Sequence, residues 1–306
     1  MKHVLIASRS CGSGIGEQKI IDMFESNGIV AQFSSLKDEE AMGKAQGLII
    51  GMGKVGEAEF QRLPKLKCVM KYGVGIENID IEAAKTRNIK VMNMPGINSE
   101  AVAEMAFALM ISAARKVVEG DRSLRRGNWD KLTGYSLIGK TLGIVGTGAI
   151  GRKLAEYVKG FNMRVIAYDM FESEQFIQQG GEYVCFDELV TQSDFISIHV
   201  PLTKQTHHLF GENEFSKMKE SAILVNTSRG SVVDEQALIT ALQDKKIAAA
   251  GLDVFEQEPL PLKSVLRELE NVVIVPHIAA FSIDTMRKMD LQAIKNMTEA
   301  LKNEND

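Results

Sequence analysis

Thr141-Leu142-Gly143-Ile144-Val145 runs straight into Gly146-Thr147-Gly148-Ala149-Ile150-Gly151. A short apolar run thus leads into glycines spaced GxGxxG, and a helical pattern follows over 152–161. In a strand–turn–helix each glycine has a physical task. Gly146 makes the tight turn, Gly148 lets a pyrophosphate approach the backbone, and Gly151 lets the helix pack closely on the strand. The amides of Ala149 and Ile150 then point at the phosphates from the positive end of the helix dipole. The next apolar run, 164–168, is followed by Asp169, 23 residues after Gly146. A carboxylate there accepts hydrogen bonds from both ribose hydroxyls of an adenosine and repels a 2′-phosphate. No arginine follows it in Met170-Phe171-Glu172, so NAD is expected rather than NADP. A glycine motif alone is weak evidence, but with the acid at the end of the next strand it is strong.

Working outward, similar runs alternate with helical patterns along most of the chain. They lie at 4–7, 29–33, 47–51, 67–70 and 90–92 before the glycine loop, and at 195–200, 222–226, 248–253 and 272–275 beyond 164–168. Runs this short and this continuously apolar predict buried parallel strands joined by helical crossovers, hence an α/β architecture. Five strands and then six predict two sheets, because one open sheet of eleven is unusual. The longest helical segment is expected from Ser99 to about Gly120, capped by Asn98 or Ser99 and stopped by Gly120. Its apolar residues Val102, Met105, Ala106, Leu109, Met110 and Ala113 give it a broad face for a core or an interface.

The 306 residues correspond to about two domains. With 36 basic and 40 acidic residues the formal charge is −4, without the footprint that nucleic-acid binding needs. The most apolar stretch, 105–114, falls far short of the roughly 20 residues of a membrane span. The three cysteines, Cys11, Cys68 and Cys185, are too scattered for a disulfide framework or a zinc knuckle, and no metal site is expected. The N-terminus lacks a signal-peptide pattern, so a cytoplasmic protein in a reducing compartment is expected.

A second glycine cluster, Gly12-Ser13-Gly14-Ile15-Gly16, follows the first strand with spacing GxGxG, and the next strand ends without an acid. It is read as a flexible turn or a substrate-side loop rather than a dinucleotide site. Chemistry is sought instead in the loops after the later strands, because ligands sit at the carboxyl ends of parallel strands. Arg229, Glu258 and His277 occupy three such loops. A histidine paired with a carboxylate can donate a proton near neutral pH, and an arginine fork suits a substrate carboxylate. Each alone reads as a surface group; together at successive strand ends they read as a site.

The motifs Lys71–Asp80 (KYGVGIENID), Val91–Gly96, Gly146–Gly151, His199–Thr203, Asn226–Gly230, Gly251–Pro259 and Pro276–Ala280 make the chain resemble the D-isomer-specific 2-hydroxyacid dehydrogenases. The resemblance implies that Arg229 binds substrate and that Glu258, the acid directly before the proline, pairs with His277 as acid/base. It implies a substrate loop of Lys71, Tyr72, Gly73, Val74 and Gly75, with amides around Val74 and Gly75 holding the carboxylate. Asp253 would bond the nicotinamide carboxamide, a cap on the following turn being the alternative. Thr227 and Ser228 would line the cofactor, and His199, Val200, Pro201, Thr206 and Ala280 complete its expected surroundings. The implied topology is a Rossmann NAD-binding domain (97–282) inserted into a discontinuous flavodoxin-like substrate domain (1–96 plus 283–306). Substrate would sit in the cleft, hinged near Pro95-Gly96 and Phe281-Ser282, and the helix from Ser99 would serve a homodimer.

The expected partner is a small anionic 2-hydroxy or 2-keto acid, with 3-phosphoglycerate leading. Phosphoglycerate-specific members tend to carry Arg-Ser after the third strand, where this chain has Gly51-Met52-Gly53-Lys54. Lys71 and Lys54 could meet a phosphate as point charges, without the bidentate fork. With Asp306 the last residue, the extra regulatory domain of longer phosphoglycerate enzymes is not expected. Hydroxypyruvate or glyoxylate and lactate-like acids are the alternatives, and an NAD-sensing module without turnover is the reading from another class.

Overall fold

The structure, a computed structural model, describes residues 1–302. It divides into two compact units, one formed by residues 1–98 with 280 onward and the other by residues 99–279.

In the first unit β1 (Lys2–Ala7), β2 (Ile29–Phe33), β3 (Gly47–Ile50), β4 (Cys68–Lys71) and β5 (Lys90–Met92) form a sheet of order β2-β1-β3-β4-β5. Every pairing is parallel. This is the flavodoxin-like order. Successive residues of a strand point to opposite faces, and both faces are buried. Val4, Ile6, Ile49, Cys68 and Met70 therefore enter one core, with Ile20 and Phe24 of the helix Glu17–Glu25 and a methionine-rich face of the helix Ile283–Lys302. Leu5, Leu48, Ile50 and Val69 enter the other, with Met42, Phe60 and Leu63.

In the second unit β6 (Thr141–Val145), β7 (Arg164–Tyr168), β8 (Glu182–Tyr183), β9 (Phe195–Ile198), β10 (Ile223–Asn226), β11 (Ala249–Leu252) and β12 (Val272–Ile274) form a parallel sheet of order β12-β11-β10-β9-β6-β7-β8. Strand order reverses between β6 and β9, the switch point beside which doubly wound sheets bind ligands. Two cores again cover the two faces, with Ile196, Ile198 and Leu224 in one and Leu142, Ile144, Ile223 and Val225 in the other.

The eleven sequence-predicted strands all form within a residue or two of their expected ends, and β8 is added. At two residues β8 is too short to show a periodic pattern. The long helix differs from expectation. It ends at Ala114, Lys116 takes the left-handed conformation at φ 54°, and a second helix, Val117–Arg125, contains Gly120 rather than stopping at it. The break is tertiary in origin. Tyr135 donates its amide to the Ala114 carbonyl at 2.8 Å, and a Cβ on Gly134 would lie 2.3 Å from that oxygen. The first helix buries Ala103, Ala106, Leu109, Met110, Ala113 and Ala114 in the core of its own unit.

The Gly12–Gly16 loop, read from sequence as a flexible turn or a substrate-side loop, is tightly packed rather than flexible. It is packed on the helix Ile283–Lys302, so close that a Cβ on Gly14 would lie 2.4 Å from the backbone of Met286 and Arg287. Because backbone atoms cannot swing aside, Gly14→Ala should destabilise the protein by about 1–3 kcal/mol. Urea unfolding checks this, and an unchanged midpoint would mean that the loop yields without cost.

Candidate active site

The loop after β10 is shaped by one side chain. Asn226, buried at the strand end, accepts from the Ser228 amide at 3.0 Å and its hydroxyl at 2.8 Å, and donates to the Arg229 carbonyl at 3.0 Å. This Asx-type turn satisfies the chain where it leaves the ladder. It leaves Arg229 half-buried, with its guanidinium donating to the Ser228 carbonyl at 2.7 Å. Gly230 follows against the next loop, where a Cβ would lie 1.9 Å from the Phe255 carbonyl carbon. The loops after β10 and β11 therefore touch backbone to backbone.

After β11 comes Asp253, buried at 1 % exposure. Its carboxylate accepts from the amides of Ile278 at 2.6 Å and Ala279 at 3.0 Å, while its carbonyl accepts from His277 at 2.9 Å. Burial pushes the Asp253 carboxyl up, and the two amides pull it back in part. The turn so held puts His277 at φ 53°, a conformation non-glycine residues seldom adopt. His277 Nδ1 then meets Glu258 Oε2 at 2.7 Å, and Glu258 Oε1 accepts from the Phe255 amide at 3.1 Å. Burial alone would raise the Glu258 carboxyl. The His277 hydrogen bond and charge, the Phe255 amide and the Arg229 charge outweigh it and hold the group below the usual carboxylate range. With Nδ1 engaged, Nε2 is the nitrogen left for a substrate oxygen.

The glycine loop meets the steric demands of a dinucleotide. Gly146 sits at φ 98°, where a Cβ would lie 2.9 Å from the His199 carbonyl. A Cβ on Gly151 would lie 2.2 Å from the Gly146 oxygen, which is the close helix–strand contact. Gly148, at the head of the helix Ala149–Tyr157, has open space where its Cβ would be. Asp169 directly follows β7 and accepts from the Thr147 amide at 2.7 Å, the Thr147 hydroxyl at 3.1 Å and the Phe171 amide at 3.1 Å, leaving acceptor capacity on Oδ1 for a hydroxyl donor. Thr227 Oγ1 and His199 Nδ1 are shut off from solvent with no partner among the described residues. Burial pushes His199 down to about 3, so its ring is neutral, with Nε2 on Ser197 at 2.9 Å. Orphaned polar atoms beside the switch point are what a polar ligand would satisfy. The half-buried Val200 and exposed Pro201 follow, with Thr206 Oγ1 donating to the Pro201 carbonyl at 2.6 Å. Ala280, half-buried, falls in the segment from 280 onward that belongs to the first unit.

In that unit the residues of the expected substrate loop part company. The carbonyls of Gly73 and Val74 are taken by the Met94 amide at 3.0 Å and by Asn93 at 2.6 Å. The amides of Val74 and Gly75 meet no acceptor among the described residues. Lys71 and Tyr72 are buried at 7 % and 5 % exposure and bonded inside the unit. Lys71 Nζ donates to the Gly51 carbonyl at 2.7 Å and to Asn78 Oδ1 at 2.9 Å. Its expected role as a phosphate-facing charge is corrected, since the ammonium is committed to joining two loops.

Comparison with known proteins fits this geometry. Residues 107–279 match the model of the D-isomer-specific 2-hydroxyacid dehydrogenase NAD-binding domain. A glyoxylate reductase of Korarchaeum cryptofilum is 49 % identical over 78 % of this chain and 74 % of its own. The chain belongs to the D-isomer-specific 2-hydroxyacid dehydrogenases. A glyoxylate/hydroxypyruvate reductase B of Klebsiella pneumoniae is 40 % identical over 92 % of this chain and 91 % of its own. A D-3-phosphoglycerate dehydrogenase of Archaeoglobus fulgidus is also 40 % identical, but this chain covers 56 % of it. The D-lactate dehydrogenase of Aquifex aeolicus, solved with NAD and lactic acid, superposes with a TM-score of 0.84 at 29 % identity, covering 98 % of this chain and 96 % of that one.

This dehydrogenase uses NAD, as its family does. The motif Asn226–Gly230 is visible in the sequence, but the roles of Asn226 and Gly230 are not; an Asn at a strand end with Ser two residues on is the available signal for the first, whereas the contact of Gly230 with Phe255 leaves none. The Glu258 carboxyl ionises below the ordinary carboxylate value, so its charge persists below that value; the stability it confers is full above the ordinary value and is lost as pH falls through the lowered one. Glu258→Gln removes the carboxylate that holds His277 Nδ1. kcat/KM for 2-keto acid reduction should then fall by about tenfold or more, with NADH affinity retained. An unchanged kcat/KM would remove Glu258 as a functional partner of His277.

Proposed function

We propose that the protein is an NADH-dependent reductase of glyoxylate and hydroxypyruvate. The observation that carries this is the pairing of His277 with Glu258 at 2.7 Å beside Arg229, together with the commitment of Lys71 to internal bonds. The first feature supports reduction of a 2-keto acid. The second leaves no buried cation on that loop for a phosphoryl tail, and Lys54 is exposed. The two reductases named above support the same choice, whereas the phosphoglycerate expectation has the weaker support.

Bound NADH supplies the hydride. His277 donates the Nε2 proton to the keto oxygen as that oxygen gains charge, and Glu258 stabilises the imidazolium beforehand. Arg229 presents its guanidinium to the carboxylate and the keto oxygen, and favours the developing oxyanion. In the other unit the amides of Val74 and Gly75 offer a nest suited to a carboxylate. Thr227 and Ser228 would line the nicotinamide end, and Asp253, which fixes the turn of His277, would hold the carboxamide. The glycine loop with Ala149 and Ile150 would receive the pyrophosphate, Asp169 the ribose, and the loop from His199 to Thr206 would line the rest of the cofactor.

A homodimer belongs to the same proposal. The helix Val117–Arg125 buries no residue, and Val117, Leu124, Trp129 and Ile138 on and after it are 54 to 82 % exposed. Apolar side chains in such density mark interaction surfaces.

A panel of 2-keto acids with NADH tests the substrate. Glyoxylate or hydroxypyruvate should exceed 3-phosphohydroxypyruvate in kcat/KM by about tenfold or more, one missing contact being worth that much. The reverse order would restore the phosphorylated substrate. His277→Ala should abolish turnover with NADH affinity retained; NADH binding without turnover of any acid by the unaltered protein would leave a sensing module.

A further inference from the structure

The glycine cluster at 12–16 takes no part in the reaction described above, and neither does Asp290 of the helix Ile283–Lys302. Asp290 is fully buried. Its Oδ1 accepts from the Gly12 amide at 2.9 Å and its Oδ2 from the amides of Gly14 and Ile15 at 2.9 and 3.0 Å. Amides of a glycine-rich turn converging on one point form an anion nest, and here the chain fills it with its own carboxylate. A buried carboxylate lacking such donors would be costly.

A fourth donor reaches the same group. The Tyr72 hydroxyl lies 2.7 Å from Asp290 Oδ1 across 218 residues of sequence. Burial, and then the hydrogen bond and charge of Asp290, push the Tyr72 phenol up, so it remains a donor throughout the working pH range. Tyr72 immediately precedes Gly73-Val74-Gly75, and its amide is tied to the Ile50 carbonyl at 2.8 Å. The chain therefore enters the loop held at two points, by main chain on β3 and by side chain on Asp290. Beyond them Gly73 turns at φ 141°, a rotation that would carry any error at Tyr72 into the direction of the next amides.

We infer that Asp290 is a positioning residue for substrate binding, acting through the Tyr72 hydroxyl to fix how the amides of Val74 and Gly75 face the substrate carboxylate. This rests on the reading that those amides bind that carboxylate. A nest works only while its N–H groups converge, so a small rotation of the loop weakens carboxylate binding without touching the proton donor. The glycines at 12 and 14 follow from the same requirement, since they bring amides onto a carboxylate that must itself stay in place for Tyr72.

The test is steady-state kinetics with the best 2-keto acid of the panel varied at saturating NADH, alongside NADH titration and thermal melts. Tyr72→Phe removes one hydroxyl and keeps the ring. It should raise KM about tenfold, lower kcat less than about threefold and leave the NADH dissociation constant unmoved, as loss of a hydrogen bond to a charged group would. Asp290→Asn should move KM in the same direction and further; if it does not fold, Tyr72→Phe alone decides. A lowered melting temperature in Tyr72→Phe with unchanged KM would overturn the inference and leave the link purely structural. Val74→Pro, which removes an amide of the nest itself, separates the two layers. An unmoved KM there means that the loop does not bind the carboxylate. A raised KM there with an unmoved KM in Tyr72→Phe keeps the loop reading and removes the role of Asp290.

Discussion

The candidate chemistry depends on one buried carboxylate. Asp253 stands at the carboxyl end of β11 and takes two amides of the turn after β12 on its side chain and a third on its carbonyl. Those three bonds hold His277 in a left-handed conformation that a histidine would otherwise leave. The conformation in turn aims Nδ1 at Glu258. Taking a carboxylate out of water is unfavourable, but here it is compensated by amides that a turn must satisfy in any case. One interaction thus settles the direction of the side chain proposed to move the proton.

The first unit uses the same physics elsewhere. Asp290 also sits out of solvent with amides converging on it, and it too organises a turn that is remote from its own helix in sequence. The difference lies in what the turn then does. Around Asp253 the amides belong to the segment bearing the acid/base candidate, whereas around Asp290 they belong to a glycine loop whose sequence imitates a phosphate cradle. GxGxG and GxGxxG are both anion-binding patterns, and only the surroundings determine whether the anion is a ligand or a side chain of the protein itself.

How far the site was legible can be judged from particular residues. Glu258, and not Glu256, directly precedes a proline as the family's pattern requires, and the structure pairs Glu258 with His277. Glu256 has other work. It meets His208 Nε2 at 2.7 Å and accepts from the Glu235 amide, while Glu235 accepts from the Glu256 amide in return. That reciprocal clasp fixes the loop bearing Glu258, and nothing in the spacing of residues 208, 235 and 256 announces it. Lys71 misled for a similar reason. A lysine beside a glycine loop looks available to an anion until the chain is folded, when its ammonium is drawn onto the Gly51 carbonyl and Asn78.

By itself the sequence determined the strands, the parallel α/β class and the dinucleotide loop. Each rests on local patterning: apolar runs too short for helices, and glycines spaced GxGxxG between a strand and a helix. It also determined which side chains lie at the strand ends, because parallel strands deliver their following loops to one edge. Tertiary structure decided where those side chains point and which are already committed. It ended the long helix at Ala114 through a contact from Tyr135, filled the nest at Gly12–Ile15 with a carboxylate from the other end of the chain, and bent the turn at His277 around Asp253. Those outcomes depend on partners far apart in sequence, whose proximity exists only once the sheets have formed.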